Sequence, residues 1–242
     1  MKRSLKNLVG FKIKETNGKK GNVVDFLFDE ERWIIRYLEV ELGTFFNDRK
    51  VLIGRTFLDK PEWYDSIFPI NISISDIENA PELKEHLPVS IKYEEEFNKH
   101  YRIINYWDLP VSAIATMYPP RPIKVPTKDI NEKDLNTKLR SFNEVLDYHV
   151  HANDGIIGHL NDLIIDDEDW QIVYAVIDTS NWIPWSKIVI IPINRLEEIS
   201  YVQSEIKVNL STERIKNSPE YIDCTQIKNE YEKLLYEFYN NK

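Results

Sequence analysis

The feature that most constrains this chain is an internal repeat. The segment Ser4–Ile53 aligns without a gap with Ser141–Ile190, and Ile77–Glu82 recurs as Ile215–Glu220 after one inserted residue. The identical residues include two glycines, two aspartates and a tryptophan in each copy: Gly18 and Gly155, Gly21 and Gly158, Asp25 and Asp162, Asp29 and Asp166, Trp33 and Trp170. A repeat of this length predicts two copies of one folded unit.

Each copy reads as a set of short strands. Runs of β-branched and aromatic residues are separated by turn residues, and Asn17-Gly18 and Asp154-Gly155 are typical hairpin signals. A three-residue turn with the glycine in the left-handed conformation keeps the apolar residues on one face, and it places His149 opposite His159. Closing a small sheet of such strands removes exposed edges, so the pattern predicts small antiparallel β-barrels.

Helical and proline-rich segments follow the strands. Amphipathic stretches end each copy, at Tyr93–Tyr101 and at Ile227–Tyr239, and a short helix is expected to start at Ser211. Five of the twelve prolines fall within Pro110–Pro126, which predicts an extended connector. The expected domains are therefore a first barrel with its helix at 1–101, a connector at 102–140 and a second barrel with its helix at 141–242. One face of the last helix is expected to be buried, through Ile227, Tyr231, Leu234, Leu235 and Phe238.

The second copy resembles a known family. Asp154–His159, Asp162–Asp167, Trp170–Tyr174 and Lys187–Ile190 are similar to the PRC-barrel domain. That β-barrel is found in the photosynthetic reaction-centre H subunit and in the ribosome-maturation factor RimM. The first copy resembles the same domain, with a different loop at Thr44–Asp48. The resemblance implies a mainly β protein of two tandem small antiparallel PRC-like β-barrels, each followed by a short and a longer α-helix.

Composition limits the classes of partner. Lysine and arginine total 31 against 40 aspartates and glutamates, a net charge of -9, which argues against nucleic acid because phosphate binding needs a surplus of cations. The single cysteine, Cys224, excludes an internal disulfide and favours a reducing compartment. No apolar run reaches the ~18 residues of a membrane span, and the start lacks a signal-peptide pattern. We therefore expect a cytoplasmic protein without a membrane span.

Three histidines of the second copy form the sharpest candidate site. His149, His151 and His159 would lie together on the sheet face opposite the core, and cross-strand Cβ atoms are about 5 Å apart. Two imidazoles at that distance can share a zinc ion, with Asp147 or Asp162 as conceivable further ligands. The first copy has no histidine at the matched positions, so the competing interpretation is a solvated strand face.

Other repeated or aromatic residues have structural and binding interpretations. The aspartate pairs Asp25 with Asp29 and Asp162 with Asp166 could suggest acid–base chemistry, but turn and strand-end roles are the commoner use of such residues. Trp33 and Trp170 are expected in the two cores. Trp182 and Trp185 flank Ile183 and Pro184 in a loop and are candidate partner-binding residues, with packing over the barrel end or the other repeat as the alternative.

No motif in the chain carries a reaction. Phosphate-binding glycine loops, nucleophile elbows and paired-cysteine metal motifs are absent from the sequence. We therefore expect a protein that is not an enzyme and needs no cofactor. The leading hypothesis is an adaptor that binds a protein partner or self-associates, for example as a homodimer. The alternative is a small-ligand or metal-binding protein that uses the histidines.

Overall fold

A computed structural model describes residues 1–15, 18–44, 47–81, 97–103, 139–179 and 187–240. Within these residues the protein is mainly β, with two sheets. Its strands are β1 (Lys2–Ser4), β2 (Lys12–Glu15), β3 (Gly18–Asp29), β4 (Ile34–Thr44), β5 (Asn47–Gly54), β6 (Ile67–Pro69), β7 (Leu139–Ser141), β8 (His149–Ala152), β9 (Gly155–Asp166), β10 (Ile172–Asp178), β11 (Ile188–Pro192), β12 (Leu196–Ser200) and β13 (Glu205–Val208). Its α-helices are α1 (Ile74–Glu78), α2 (Phe142–Val145), α3 (Thr212–Lys216) and α4 (Asn229–Asn240), and residues 97–101 are also helical.

The chain forms two compact units. The first-copy unit is Leu8–Ser141, and the second-copy unit combines Met1–Asn7 with Phe142–Lys242. In the first-copy unit the strands are ordered β5-β4-β3-β2-β6, and β7 also pairs with β3. In the second-copy unit they are ordered β11-β10-β9-β8-β13-β12, and β1 also pairs with β9. Strands that correspond in the repeat therefore occupy corresponding places in the two sheets.

The first strand of each copy belongs to the unit built by the other copy. β1 starts the first copy but runs antiparallel to β9, with Ser4 opposite Ile164. β7 starts the second copy but runs antiparallel to β3, with Ser141 opposite Leu27. The predicted boundaries at 1–101, 102–140 and 141–242 follow the repeat and stay a prediction, and most of the connector lies outside the described residues. The repeat pattern did not indicate this exchange of strands.

One part of the predicted sheet architecture is wrong. Each sheet contains one parallel pair, β2 with β6 and β8 with β13, whereas wholly antiparallel sheets were expected. Parallel neighbours need a long connection, and here the intervening strands of the same unit provide it. Between the described residues no strand pairing closes either sheet into a barrel.

Unusual backbone conformations recur at matched places in the two copies. Trp33 and Trp170 have positive φ angles of 54° and 62°, and each amide donates to the carbonyl of the aspartate four residues earlier, at 2.7 and 2.8 Å. Trp33 stacks on Phe28 at 5.5 Å between ring centroids, while Trp170 is buried. Because a non-glycine residue in this region costs about 1 to 3 kcal/mol, the matched strain indicates that both turns are built in the same way.

The predicted buried face at the C-terminal helix is confirmed at Ile227, Tyr231 and Leu235, but not at Leu234. Tyr231, Leu235 and Tyr239 are buried, but Leu234 is 48% exposed. Side chains four residues apart lie above one another on a helix, so a stripe through Tyr231, Leu235 and Tyr239 leaves Leu234 to the side. Among the helices that the structure describes, none is both long and apolar enough to cross a membrane.

Candidate functional site

His149 and His159 belong to a row of four paired residues that crosses four strands of the second-copy unit. Asp178 of β10 pairs with His159 of β9, His159 pairs with His149 of β8, and His149 pairs with Glu205 of β13. The predicted opposition of His149 and His159 is therefore confirmed. Since directly paired residues point to the same face of a sheet, the row presents two imidazoles between two carboxylates. We call these four residues the histidine row.

The side chains of the row and its neighbours are partly exposed. His159 Nε2 lies 4.0 Å from Asp178 Oδ2, and His151 Nε2 lies 3.1 Å from Glu205 Oε1. Within the described part of the chain, however, no three side chains of histidine, cysteine, aspartate or glutamate are grouped to hold one ion. The metal site at His149, His151 and His159 therefore stays a prediction.

A glycine allows the strands of the row to approach one another. A Cβ atom added to Gly158 would overlap the carbonyl oxygen of Asp178 and lie 2.9 Å from its carbonyl carbon. Gly21 has the same role in the first-copy unit, where an added Cβ would lie 2.8 Å from the carbonyl oxygen of Glu41. The recurrence of this glycine follows from close backbone contact, which only a residue without a side chain permits.

The row is specific to the second-copy unit. The matched residues of the other sheet are Glu41, Asn22, Lys12 and Ile67, which pair in the same order. The shared fold therefore places four side chains in line across the strands. Only the second copy fills those places with histidines flanked by carboxylates.

A second constellation joins the exchanged strand β1 to β9. The Ser4 hydroxyl donates to Asp162 Oδ2, and the Lys6 amide donates to Asp162 Oδ1 at 3.1 Å. Burial raises the pKa of Asp162 more than these hydrogen bonds lower it. Asp162 thus binds the exchanged strand, and its conceivable role as a further metal ligand stays a prediction.

The first-copy unit repeats this contact. The Ser141 hydroxyl of β7 donates to Asp25 Oδ2, and Asp25 is buried. We call Ser4 with Asp162, and Ser141 with Asp25, the serine–aspartate latches. The sequence carried the signal for them, because both serines and both aspartates are identical in the repeat, but turn and strand-end roles were expected for the aspartates. Asp29, by contrast, does cap a turn by accepting from the amides of Glu31 and Arg32, both at 3.0 Å.

Ion pairs flank each latch. Lys2 Nζ lies 2.7 Å from Asp166 Oδ2, and Arg3 Nε lies 3.1 Å from Asp167 Oδ2. Burial lowers the pKa of Lys2, but its hydrogen bond to Asp166 and the charge of that carboxylate outweigh burial and leave the pKa raised. In the first-copy unit Arg140 donates twice to Glu30, at 2.8 Å each. The edge that receives each exchanged strand is therefore acidic, and the strand itself carries the cations.

The cysteine lies beside β1. The turn Cys224–Gln226 contacts β1, and Cys224 Sγ is 3.2 Å from the Tyr221 hydroxyl. Burial raises the pKa of the Cys224 thiol, and the opposing hydrogen bond from Tyr221 does not cancel this effect. A thiol with a raised pKa is a poor nucleophile.

A groove runs between helix α4 and the sheet of the second-copy unit. Its volume is about 500 Å³, and its lining includes Tyr174, Pro192, Leu235, Tyr236 and Tyr239. Tyr236 is 69% exposed although it lines this groove. Arg195 and Arg214 donate to the Tyr239 and Phe238 carbonyls at the end of the helix. These contacts satisfy carbonyl groups that a helix end leaves open, and they hold α4 in place.

Trp182 and Trp185 lie outside the described residues, so their predicted role in binding a partner stays a prediction. The repeat residues Gly18, Gly21, Asp25, Asp29 and Trp33 and their matches all lie in or next to the sheets.

A known protein family matches the second copy of the repeat. Residues 141–215 match the family model of the PRC-barrel domain. The matched range begins at Ser141 and ends within helix α3, so it includes the whole histidine row and Asp162. A search of curated proteins found no match to the chain.

Proposed function

We propose that the chain, whose residues 141–215 match the family model of the PRC-barrel domain, is a non-catalytic tandem PRC-barrel protein that acts as an adaptor in protein interaction or assembly. The proposal extends the domain to the first copy and includes closure of both sheets into barrels. The corresponding strand orders of the two sheets support this extension. We further propose that the adaptor works in the cytoplasm, alone or as a homodimer.

The groove beside α4 is the observation that carries the adaptor function. Its exposed Tyr236 projects from a helix that Arg195 and Arg214 hold at its end. Tyrosine and other large side chains in a rigid setting are favoured anchors of protein interfaces, because they bury much area with little loss of side-chain entropy. Arg195, Glu232 and Lys233 also line the groove, so it combines apolar and polar side chains, as typical interfaces do.

Replacing Tyr236 is the direct test of this function. We expect Tyr236→Ser to weaken self-association or partner binding by about tenfold or more, the effect of losing an interface anchor worth about 1.4 kcal/mol. Sedimentation of the purified protein measures self-association. A photo-reactive amino acid at position 236, introduced in the native host, captures a partner as an adduct of defined mass.

Tyr64 provides the matched control, because it is fully exposed and lies in the other unit. Tyr64→Ser should leave association unchanged, and a photo-reactive residue at position 64 should give no adduct. A strictly monomeric protein with no adduct at position 236, or at Trp182 and Trp185 in the same assay, would contradict the adaptor function.

Metal or small-ligand binding is the second candidate function, and the histidine row is the observation that favours it. His149 and His159 are direct cross-strand neighbours, and Asp178 and Glu205 stand at the two ends of the row. Metal binding would require side-chain rotations that bring the ligands to one ion, because no three of them are grouped in the described residues and zinc normally takes four. Such a site would be a binding site rather than a catalytic one.

Zinc titration tests the second candidate. We expect the wild type to bind one zinc ion, and the double variant His149→Ala, His159→Ala to bind it about tenfold or more weakly because two ligands are lost. Isothermal calorimetry measures both affinities. His100→Ala is the control, since His100 is an exposed histidine of the other unit. Equal weak binding by all three proteins would rule the site out.

A further inference from the structure

The edge of β9 that carries β1 has the properties of a peptide-binding site. Lys2, Arg3 and Ser4 pair antiparallel with Asp166, Ile165 and Ile164. Backbone hydrogen bonds extend the pairing at both ends, from the Leu5 amide to the Leu163 carbonyl at 3.0 Å and from the Asp167 amide to the Met1 carbonyl at 2.9 Å. We call this edge, with Asp162, the acceptor slot. Main-chain pairing along a sheet edge is the way in which many domains bind extended peptides.

Side chains make the acceptor slot selective. Asp162 is buried and receives the Ser4 hydroxyl, while Asp166 and Asp167 face Lys2 and Arg3. A strand without a hydroxyl at the position of Ser4 would leave the Asp162 carboxylate with one donor fewer in a buried place, which is costly. The slot therefore fits an extended segment with basic residues followed by serine.

The slot does not take its strand from the copy that builds it. In the second-copy unit the strand comes from the start of the first copy, and in the first-copy unit β7 comes from the start of the second. Arg3 and Arg140 correspond in the repeat, as do Ser4 and Ser141. Each strand thus makes these contacts in the unit that the other copy builds. The rest of the strand's own copy is not needed for them.

We propose that the acceptor slot, which β1 of the same chain fills in this structure, is a binding site for an extended Lys-Arg-Ser segment, and that a second copy of this chain supplies the segment in trans when two copies exchange their first strands. The N-terminal segment of another copy is chemically identical to β1 and makes the same backbone pairs, the same latch and the same ion pairs. Exchange of an identical element between copies needs no new contacts and is a low-cost route to association.

Cys224 reports whether the slot is filled. It is the single cysteine of the chain, its turn contacts β1, and burial raises the pKa of its thiol. In the full chain, Ser4→Asp places a carboxylate against the Asp162 carboxylate and expels β1, because two like charges at this distance are strongly unfavourable in a buried site. We expect a thiol reagent to label Cys224 about tenfold faster in this variant than in the wild type.

A synthetic peptide of residues 1–8 then tests binding in trans. Added to Ser4→Asp, it should slow labelling of Cys224 to the wild-type rate in a saturable way, while the same peptide with aspartate in place of serine should have no effect. Where Ser4→Asp does not fold, Ser4→Ala carries the same comparison, since it removes the hydroxyl without adding charge. No protection by the peptide at any concentration would overturn the proposal.

Mixing two full-length variants tests the second copy as the source. Ser4→Asp has an intact slot and a defective strand, whereas Asp162→Leu has an intact strand and a defective slot. We expect a heterodimer in sedimentation only when the two are mixed. Protection by the peptide without a heterodimer would overturn the second copy as the source of the segment.

Discussion

Gly158→Ala destabilises the second-copy unit by about 3 kcal/mol, at the upper end of the cost of overpacking. The added methyl group overlaps the Asp178 carbonyl oxygen, so β9 and β10 must separate at the pair of Asp178 with His159. The Asp178 carbonyl is a backbone group of a paired strand, and the backbone of residue 158 fixes the position of the added Cβ atom. Neither can rotate away as a flexible side chain can. Urea unfolding followed by circular dichroism measures the loss, and the melting temperature should fall by roughly 10 °C.

Gly155→Ala is the matched control for this prediction. Gly155 has the same φ as Gly158, +158°, but a Cβ there meets only the Thr212 methyl group at 3.8 Å. Its cost should be about 1 kcal/mol, the lower end of the strain of a non-glycine residue at positive φ, because the overlap with a backbone carbonyl is missing there. Equal losses in the two variants would mean that backbone conformation, and not close approach of the strands, requires glycine at position 158.

Arg36→Val destabilises the first-copy unit by about 3 kcal/mol, because it leaves a buried carboxylate without its cation. Arg36 Nη2 lies 3.0 Å from Asp29 Oδ2, and the exposed fractions of the two side chains are only 6% and 7%. Asp29 keeps its hydrogen bonds from two turn amides in this variant, so the loss is expected to come from the missing charge. Unfolding in urea at neutral pH is the measurement.

The other copy suggests how to compensate this loss of stability. There the residue matched to Arg36 is Val173, and the cation for Asp166 is Lys2 of the exchanged strand. Leu139 holds the place of Lys2 in the first-copy unit, opposite Asp29. The cycle of Arg36→Val, Leu139→Lys and their combination should show a favourable coupling of about 1 to 2 kcal/mol. A coupling of zero would mean that a lysine at position 139 does not replace the charge of Arg36 beside Asp29.

Much of the fold could be predicted from local patterns. The hairpin of β8 and β9 was predicted with the correct pairing of its histidines, because alternation of apolar residues permits only one register. The parallel pairs β2 with β6 and β8 with β13 could not be read in the same way. Their partners are far apart in the chain, and short strands carry no signal of direction.

The candidate sites were only partly predictable. His149, His151 and His159 were identified because histidine is rare and the three are close in sequence. Asp178 and Glu205 complete the histidine row from other strands, and single carboxylates in a chain with 40 acidic residues do not stand out. The groove beside α4 could not be predicted, because the sequence pattern does not distinguish its exposed Tyr236 from an ordinary residue on the solvated face of a helix.

The sequence by itself determined that one structural unit occurs twice, and it determined the turns, strands and hairpin register inside each occurrence. These features depend on neighbouring residues, whose types were visible. Only the tertiary structure decided which unit each first strand joins. Ser4 and Ser141 are identical, as are Arg3 and Arg140 and the aspartates Asp25 and Asp162 that receive the hydroxyl groups. Either serine can therefore donate to either aspartate. The pattern of residues is the same whether the first strands stay with their own copy or are exchanged.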